Sequence, residues 1–367
     1  MNTGHAYMYI LPAEKYFSTH PEYFSLVKGK RIPDSQRCLS NPEVQELFAA
    51  FLIAKRRDNP QLMAVSVEPN DALPWCECEQ CRAMDDPDLK TSHGGGVSAA
   101  NRVCAFNNIV ARKVQAVYPE LKLTWYAYHQ HTEIPTLVKK LEGAPIVWAA
   151  AFNVAYSDWH RDLEDPSSEP NSRFLATLKG YPPLGAELLI YEYFTGYAWL
   201  GPMPILGMIT DRMRNYRKYG AVGVYCMPVG NWGGQGNTMY LTVKMMWNPD
   251  LDVQKEMDLY YTNYFGPAAL PMKRYYETME RAVPSGPLFI SGGYMLDRFF
   301  TDEMLAALNP LIDEARALVK DKAPYEKRFA DVAAAHRIPR GLRVFENQKK
   351  MPTASGRLIH WKTLKHS

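Results

Sequence analysis

Four short stretches of this chain place carboxylates, imidazoles and aromatic rings directly after runs that read as β-strands. SVEPND carries Glu68 and Asp71, and WYAYHQH carries Tyr128, His129 and His131. LIYEYFTGY carries Glu192 and Tyr193, and YCMPVGNWGGQGN carries Asn231 and Trp232. In a parallel barrel the carboxy-terminal strand ends share one face, so side chains distant in sequence meet there. Paired carboxylates suit glycosidic cleavage, one protonating the leaving oxygen and the other acting as base or nucleophile. Tyr and Trp offer flat apolar faces with a polar tip, which suits a sugar ring. Each residue also has a plainer reading. Asp71 can cap a turn after Pro69 and Asn70, Glu192 can sit in a satisfied buried ion pair, and His131 can be a solvated loop residue. A metal-dependent hydrolase using His129, His131 and Glu192 is the lesser alternative, since no His-x-His follows a first strand and no third ligand stands out.

Cysteines supply a second signal. WCECEQC sets Cys76, Cys78 and Cys81 in a C-x-C-x-x-C spacing, with Cys38 in the stretch before it. Three or four thiolates within reach of one another suit tetrahedral Zn²⁺. The rivals are disulfides, from Cys38 to one of the three or within the cluster, and simple buried thiols, the reading that best suits Cys104 and Cys226. Six cysteines in 367 residues are too few for a disulfide scaffold. HGGGV at 93–97 invites a lipase oxyanion-hole reading, but no G-x-S-x-G nucleophile elbow exists in the chain. NWGGQGN lacks the following helix of a dinucleotide loop and is not read as one.

The elements that must position these residues alternate along the chain. Strand-like runs fall at 5–11, 62–68, 122–128, 145–152, 187–194 and 221–227. Most are nearly continuous apolar runs, as expected of strands buried on both faces. Helical patterns lie at 42–58, with Asn41 placed to cap and Pro42 at the first helical position, at 99–117, and at 204–219 before Gly220. Strand, helix and strand at this spacing predict βα units and a parallel sheet. After Pro249 the pattern is helical only, over 251–282 with a break at Gly266-Pro267 and over 302–335 with breaks near Pro310 and Pro324. The expected organisation is a barrel-type domain over 1–249 and a helical domain over 250–367.

Composition excludes several classes. Hydrophobic residues at 47% and charged residues at 22% are ordinary for a globular chain, so disordered and fibrous proteins are ruled out. A net charge of +3 gives no basic excess for nucleic acid. No apolar run approaches the ~18 residues of a membrane span, so no membrane partner is expected. The opening MNTGHAYMYILP lacks the charged start of a signal peptide and reads as a strand.

Several motifs, in order, resemble the bacterial family catalogued as domain of unknown function 4838: YFSTHPEYFSL, RCLSNPEV, SVEPNDALPWCECEQC, NRVCAFNNIVARKVQAVYPELKLTWYAY, LIYEYF, GAVGVYCMPVGNWGGQGN and MWNPDLDVQKEMDLYYTNYFG. The resemblance covers about residues 5–282. It implies a (β/α)8 TIM barrel similar to those of α-glucuronidases and β-hexosaminidases, an exported (extracellular or periplasmic) glycoside hydrolase, a carbohydrate substrate and no required cofactor. Such families place the acid after the fourth barrel strand, which implies the general acid at Asp71 or Glu68 and the base at Glu192. Tyr128, His129, Tyr193, Asn231 and Trp232 would line the substrate. Two departures matter: Glu68 stands where the family often has a small residue, and the chain begins close to the point where family members have already formed their first barrel strands. Six parallel strands, the third to the eighth of a barrel, are therefore expected. A carbohydrate-binding barrel without catalysis is the alternative from a different class.

Overall fold

The computed structural model describes residues 4–92, 95–151, 161–194, 201–227, 232–283 and 299–350. The chain divides into two compact units, residues 1–193 with 211–227, and residues 194–210 with 228–367. The expected boundary near 249 lies one helix further along the chain than the division at 227/228. The Gly-rich run explains the difference, because it belongs to a helix of the second unit.

The first unit opens with α1 (Tyr7–Ile10) and α2 (Ala13–Tyr16), a two-stranded antiparallel hairpin of β1 (Leu26–Val27) and β2 (Lys30–Arg31), and α3 (Pro42–Asp58). Asn41 caps α3 as its position predicts, its side chain accepting from Glu43 N–H at 2.9 Å. Then follow β3 (Ala64–Ser66), α4 (Glu79–Arg82), α5 (Ala100–Gln115), β4 (Lys122–Ala127), β5 (Ile146–Ala150), α6 (Glu169–Gly180), β6 (Glu187–Glu192), α7 (Leu206–Lys218), whose residues up to Thr210 belong to the second unit, and β7 (Gly223–Cys226). Strands β3 to β7 form one parallel sheet in sequential order. The result is an open, incomplete barrel-like α/β arrangement, and no eight-stranded closure forms among the described residues.

The run at 5–11 is not a strand. Only His5 pairs, in parallel with Glu68, and Ala6 N–H donates to the Glu68 carbonyl at 2.9 Å. The chain then turns into α1, because Ala6, Tyr7, Ile10 and Leu11 are buried while Met8 and Tyr9 are exposed, and spacings of three and four suit a helical turn rather than a strand. Tyr7 packs edge-on to Phe48 at 5.0 Å and close to Phe106 at 6.0 Å. The sixth expected strand is thus a single bridge. The connection from β4 to β5 also lacks the α-helix of a regular βα unit and runs through a 3₁₀ turn at His129–His131.

The pleat sorts the sheet into two faces. Val65, Val67, Leu123, Trp125, Ala127, Val147, Ala149, Leu188 and Ile190 share one buried parity. Ala64, Tyr126, Ile146, Trp148, Leu189 and Tyr191 cluster on the other. That second face is aromatic and only partly buried.

Among its described residues the second unit is helical: α8 (Trp232–Trp247), α9 (Val253–Phe265), α10 (Ala269–Arg281), and helices at Asp302–Val319 and Tyr325–Lys350. The break between α9 and α10 falls at Gly266 as expected. Its φ is +52°, and a Cβ there would lie 2.6 Å from the Tyr325 ring. Pro310 lies inside a continuous helix instead of breaking it. From Trp232 onward the Gly-rich run forms the start of α8. Gly233 lets α8 approach the backbone carbonyl of Asp331, where a Cβ would lie 2.5 Å away, so the glycine serves packing. No described helix is long and apolar enough to cross a membrane.

Glu280, near the end of α10, is enclosed in the second unit and accepts the Leu206 N–H that opens α7 at 2.8 Å. Burial outweighs the backbone donors and pushes its carboxyl up to about 7. A folded pKa above the unfolded value means that the folded state holds the proton more tightly. The associated stability is complete below about pH 4.5 and is lost as pH rises through about 7. Denaturation measured across that range should show a fall of ~3 kcal/mol for the parent. In Glu280→Gln that part of the pH dependence should vanish while the acceptor for Leu206 is kept.

Candidate functional site

At the end of β3 the chain carries Glu68, Asn70 and Asp71, and each has a different fate. Glu68 is fully buried. Its carboxylate accepts Tyr126 N–H of β4 at 2.7 Å and lies 3.1 Å from His131 Nε2 and 4.0 Å from His5 Nδ1. Asn70 is clamped from several sides: its side chain accepts Met8 N–H at 2.9 Å and donates to the Ser35 carbonyl at 3.2 Å. Its backbone exchanges hydrogen bonds with the Gln36 amide at 2.9 and 2.6 Å. Asp71 follows this clamp and is exposed. Ala72 and His129, just after the ends of β3 and β4, hold left-handed backbone at φ +49° and +54°. Strain of that kind in non-glycine residues is costly and concentrates at functional sites.

The aromatic face lies beside these residues. Tyr191 sits 5.4 Å from Tyr126, 5.1 Å from Tyr193 and 4.9 Å from Tyr225 between ring centroids. Trp148 and Tyr128 lie 6.2 and 6.5 Å from Tyr126. Burial, the Asp71 charge and a hydrogen bond to Asp71 raise the Tyr128 phenol well above its usual value. Tyr193 is raised as well, by burial first and then by Tyr128, other tyrosines and Asp71. Both phenols therefore stay protonated and can donate. Asp71, Tyr128 and Tyr193 thus lie close enough to interact.

Glu192 does not join them. It shares parity with Leu188 and Ile190, so its fully buried carboxylate points at α7. There it meets Arg212 Nη1 at 3.1 Å, the Tyr216 hydroxyl, and Tyr193 N–H at 3.1 Å. This is the satisfied ion pair of its plainer reading, and it corrects the expectation of a base at this position. His131 is likewise no solvated loop residue, being buried between Glu68 and Trp75, whose ring lies 5.9 Å away. His129, His131 and Glu192 form no ligand cluster among the described residues. Trp232 belongs to α8 of the second unit and donates to the Tyr264 hydroxyl at 2.9 Å. Asn231 lies outside the described residues.

The four cysteines do converge. Cys38, Cys76, Cys78 and Cys81 are all buried, with their sulfurs within 4.8 Å of one another, a geometry compatible with a bound metal ion. Hydrogen bonds from Cys76 and then Cys81 lower the Cys38 thiol below its usual value. A second set, His20, Glu22 and Glu43, also gathers at the surface. Next to the cysteines opens a cleft of about 750 Å³, with Trp75, Glu77, Arg82, Asp85, Arg102 and Gln130 on its walls. Arg102 is held by both Asp85 oxygens and donates to the Cys76 carbonyl at 2.8 Å.

Sequence reading missed Tyr126 and Tyr191, although each stands two residues before a chosen tyrosine and so shares its face. It also missed the Gln36–Asn70 clamp, for which no local signal exists. If Glu192 is structural, breaking its pair leaves a charge buried without a partner. Glu192→Gln and Arg212→Met should each lose ~3–5 kcal/mol in denaturant unfolding. A Glu192→Gln protein of parental stability would refute the structural role.

No curated protein matches the chain. Among solved structures, one described as a "GH138 enzyme targeting pectin rhamnogalacturonan II" aligns at 10% identity with a TM-score of 0.38. The alignment covers 82% of this chain and 47% of that one, so the chain spans about half of that protein's length. The profile of a family described as Domain of unknown function (DUF4838) matches residues 1–278, and the chain belongs to that family.

Proposed function

We propose that this chain acts on carbohydrate, at the carboxy-terminal ends of the parallel strands, by carboxylate acid–base chemistry of the glycoside hydrolase kind. In this reading the sheet is part of a (β/α)8 barrel and the protein works outside the cytoplasm. The observation that carries it is the partly buried aromatic face, Tyr126, Tyr128, Tyr191 and Tyr193, beside the exposed Asp71 carboxylate. Aromatic planes receive the apolar face of a sugar, while the phenol tips supply donors for its hydroxyls. Asp71 is the general acid, because it alone of the three candidate carboxylates reaches solvent. Glu68 lies beneath, held by Tyr126 N–H and His131. The reaction calls for no cofactor, and an ion at the four thiols has a structural role.

A binding-only barrel is the second reading. What favours it is the enclosure of Glu68 and Glu192, which leaves one carboxylate at the aromatic face where cleavage needs two. A glycan panel with product detection, run in parallel with binding measurements, separates the two. Cleavage of a panel member by the parent, reduced ~10²-fold or more in Asp71→Asn with binding retained, is the outcome expected of an acid catalyst. Binding without any product identifies the binding module. Turnover unchanged in Asp71→Asn removes Asp71 from the chemistry.

A further inference from the structure

We propose that Cys38, Cys76, Cys78 and Cys81 bind one zinc ion as a tetrahedral thiolate site that fixes a wall of the cleft. Cys38 Sγ lies 3.8 Å from both Cys78 Sγ and Cys81 Sγ. Zn–S bonds of ~2.3 Å in a tetrahedron give sulfur–sulfur edges of about 3.8 Å. A disulfide brings two sulfurs to ~2.05 Å and pairs them two by two, whereas Cys38 stands equally far from two partners. Four soft donors at tetrahedral spacing select zinc or a single iron. The sulfurs are too close together to surround a cluster of several irons and sulfides.

Charge and hydrogen bonding support the same assignment. On binding, each protonated thiol releases its proton to solvent, and four thiolates with Zn²⁺ leave a formal charge of −2. The Arg31 guanidinium stands 3.5 Å from Cys76 Sγ to offset it. Leu26 N–H reaches the same sulfur at 3.3 Å, Cys78 N–H donates to it, and the Ser40 hydroxyl lies 3.2 Å from Cys81 Sγ. Donors around ligand atoms orient and stabilise thiolates, and four neutral buried thiols have little use for them.

The site joins separate stretches of chain. Cys38 follows the β1–β2 hairpin, Leu26 of that hairpin packs on the cluster, and the other three cysteines come from the segment after β3. From Ala72 to Thr91 the only helix is α4, a single turn. This segment carries Trp75, Glu77, Arg82 and Asp85 of the cleft, so the ion sets where they stand. The inference is independent of the carbohydrate reading, since its test concerns metal and thiols rather than turnover.

The full chain, purified with zinc present and then dialysed, should retain one zinc per molecule by elemental analysis. All six thiols should titrate after denaturation with chelator. Cobalt substituted for zinc should show thiolate charge transfer and the intense visible bands of a tetrahedral site. Cys81→Ser should lose the stoichiometric metal, and Cys104→Ser should keep it. Because Cys81→Ser can fail to fold, cobalt spectra and chelator-triggered proteolysis of the parent within 72–91 serve as the second measurement. Iron in place of zinc, fewer than six titratable thiols, or six thiols with no retained metal overturns the proposal.

Discussion

Everything at the strand ends depends on which face the pleat of a parallel sheet gives each residue. Successive side chains point to opposite faces, and in-register pairing carries that parity from β3 across to β7. Two glutamates that both end strands are thereby separated. Glu192 goes under α7 with Arg212, while Glu68 takes the parity of Tyr126 and Trp148. One makes the helix layer electrostatically complete and the other underlies the aromatic face. Similar residues in similar sequence positions have acquired unrelated work.

The polar clamp at Asn70 plays the complementary part. A sheet orders residues along strands but does little for the loop beyond them. Gln36 and Asn70 exchange backbone and amide hydrogen bonds, and Arg37 donates to the Leu11 and Ser35 carbonyls at 2.9 and 2.6 Å. These buried bonds replace the ladder where β3 stops, and unmade they would cost far more than they contribute when made. Asp71 can therefore be exposed without being free to wander. The left-handed turn at Ala72 fits a segment held this firmly on its other side.

Much of this was legible in the residues, and the limits are instructive. Asn41 and Pro42 marked a helix start, and five of the strand-like runs became the five strands, because local rules decided them. That the tyrosines after β4 and β6 would share one face followed from parallel topology alone. The fate of Glu192 did not. A run such as ELLIYE is apolar on both parities, so nothing local says which face the helices cover. The opening residues failed for a related reason: YMYIL suits strand and helix equally, and the burial of Tyr7, Ile10 and Leu11 decided it. Four cysteines could be suspected of meeting, yet their spacing could not choose between metal and disulfide.

The contacts of Glu68 bear on how this position can vary among relatives. Its side chain acts as a rung of the ladder, filling the place of a carbonyl opposite Tyr126 N–H while holding the His131 ring. A small residue at 68 would strand that N–H and leave a void beside a buried imidazole whose Nδ1 has no partner. Positions 68 and 131 should therefore drift together. A serine at 68 calls for a trapped water or a different neighbour at 131, and a lineage that changes one without the other inherits a destabilised mouth to its sheet.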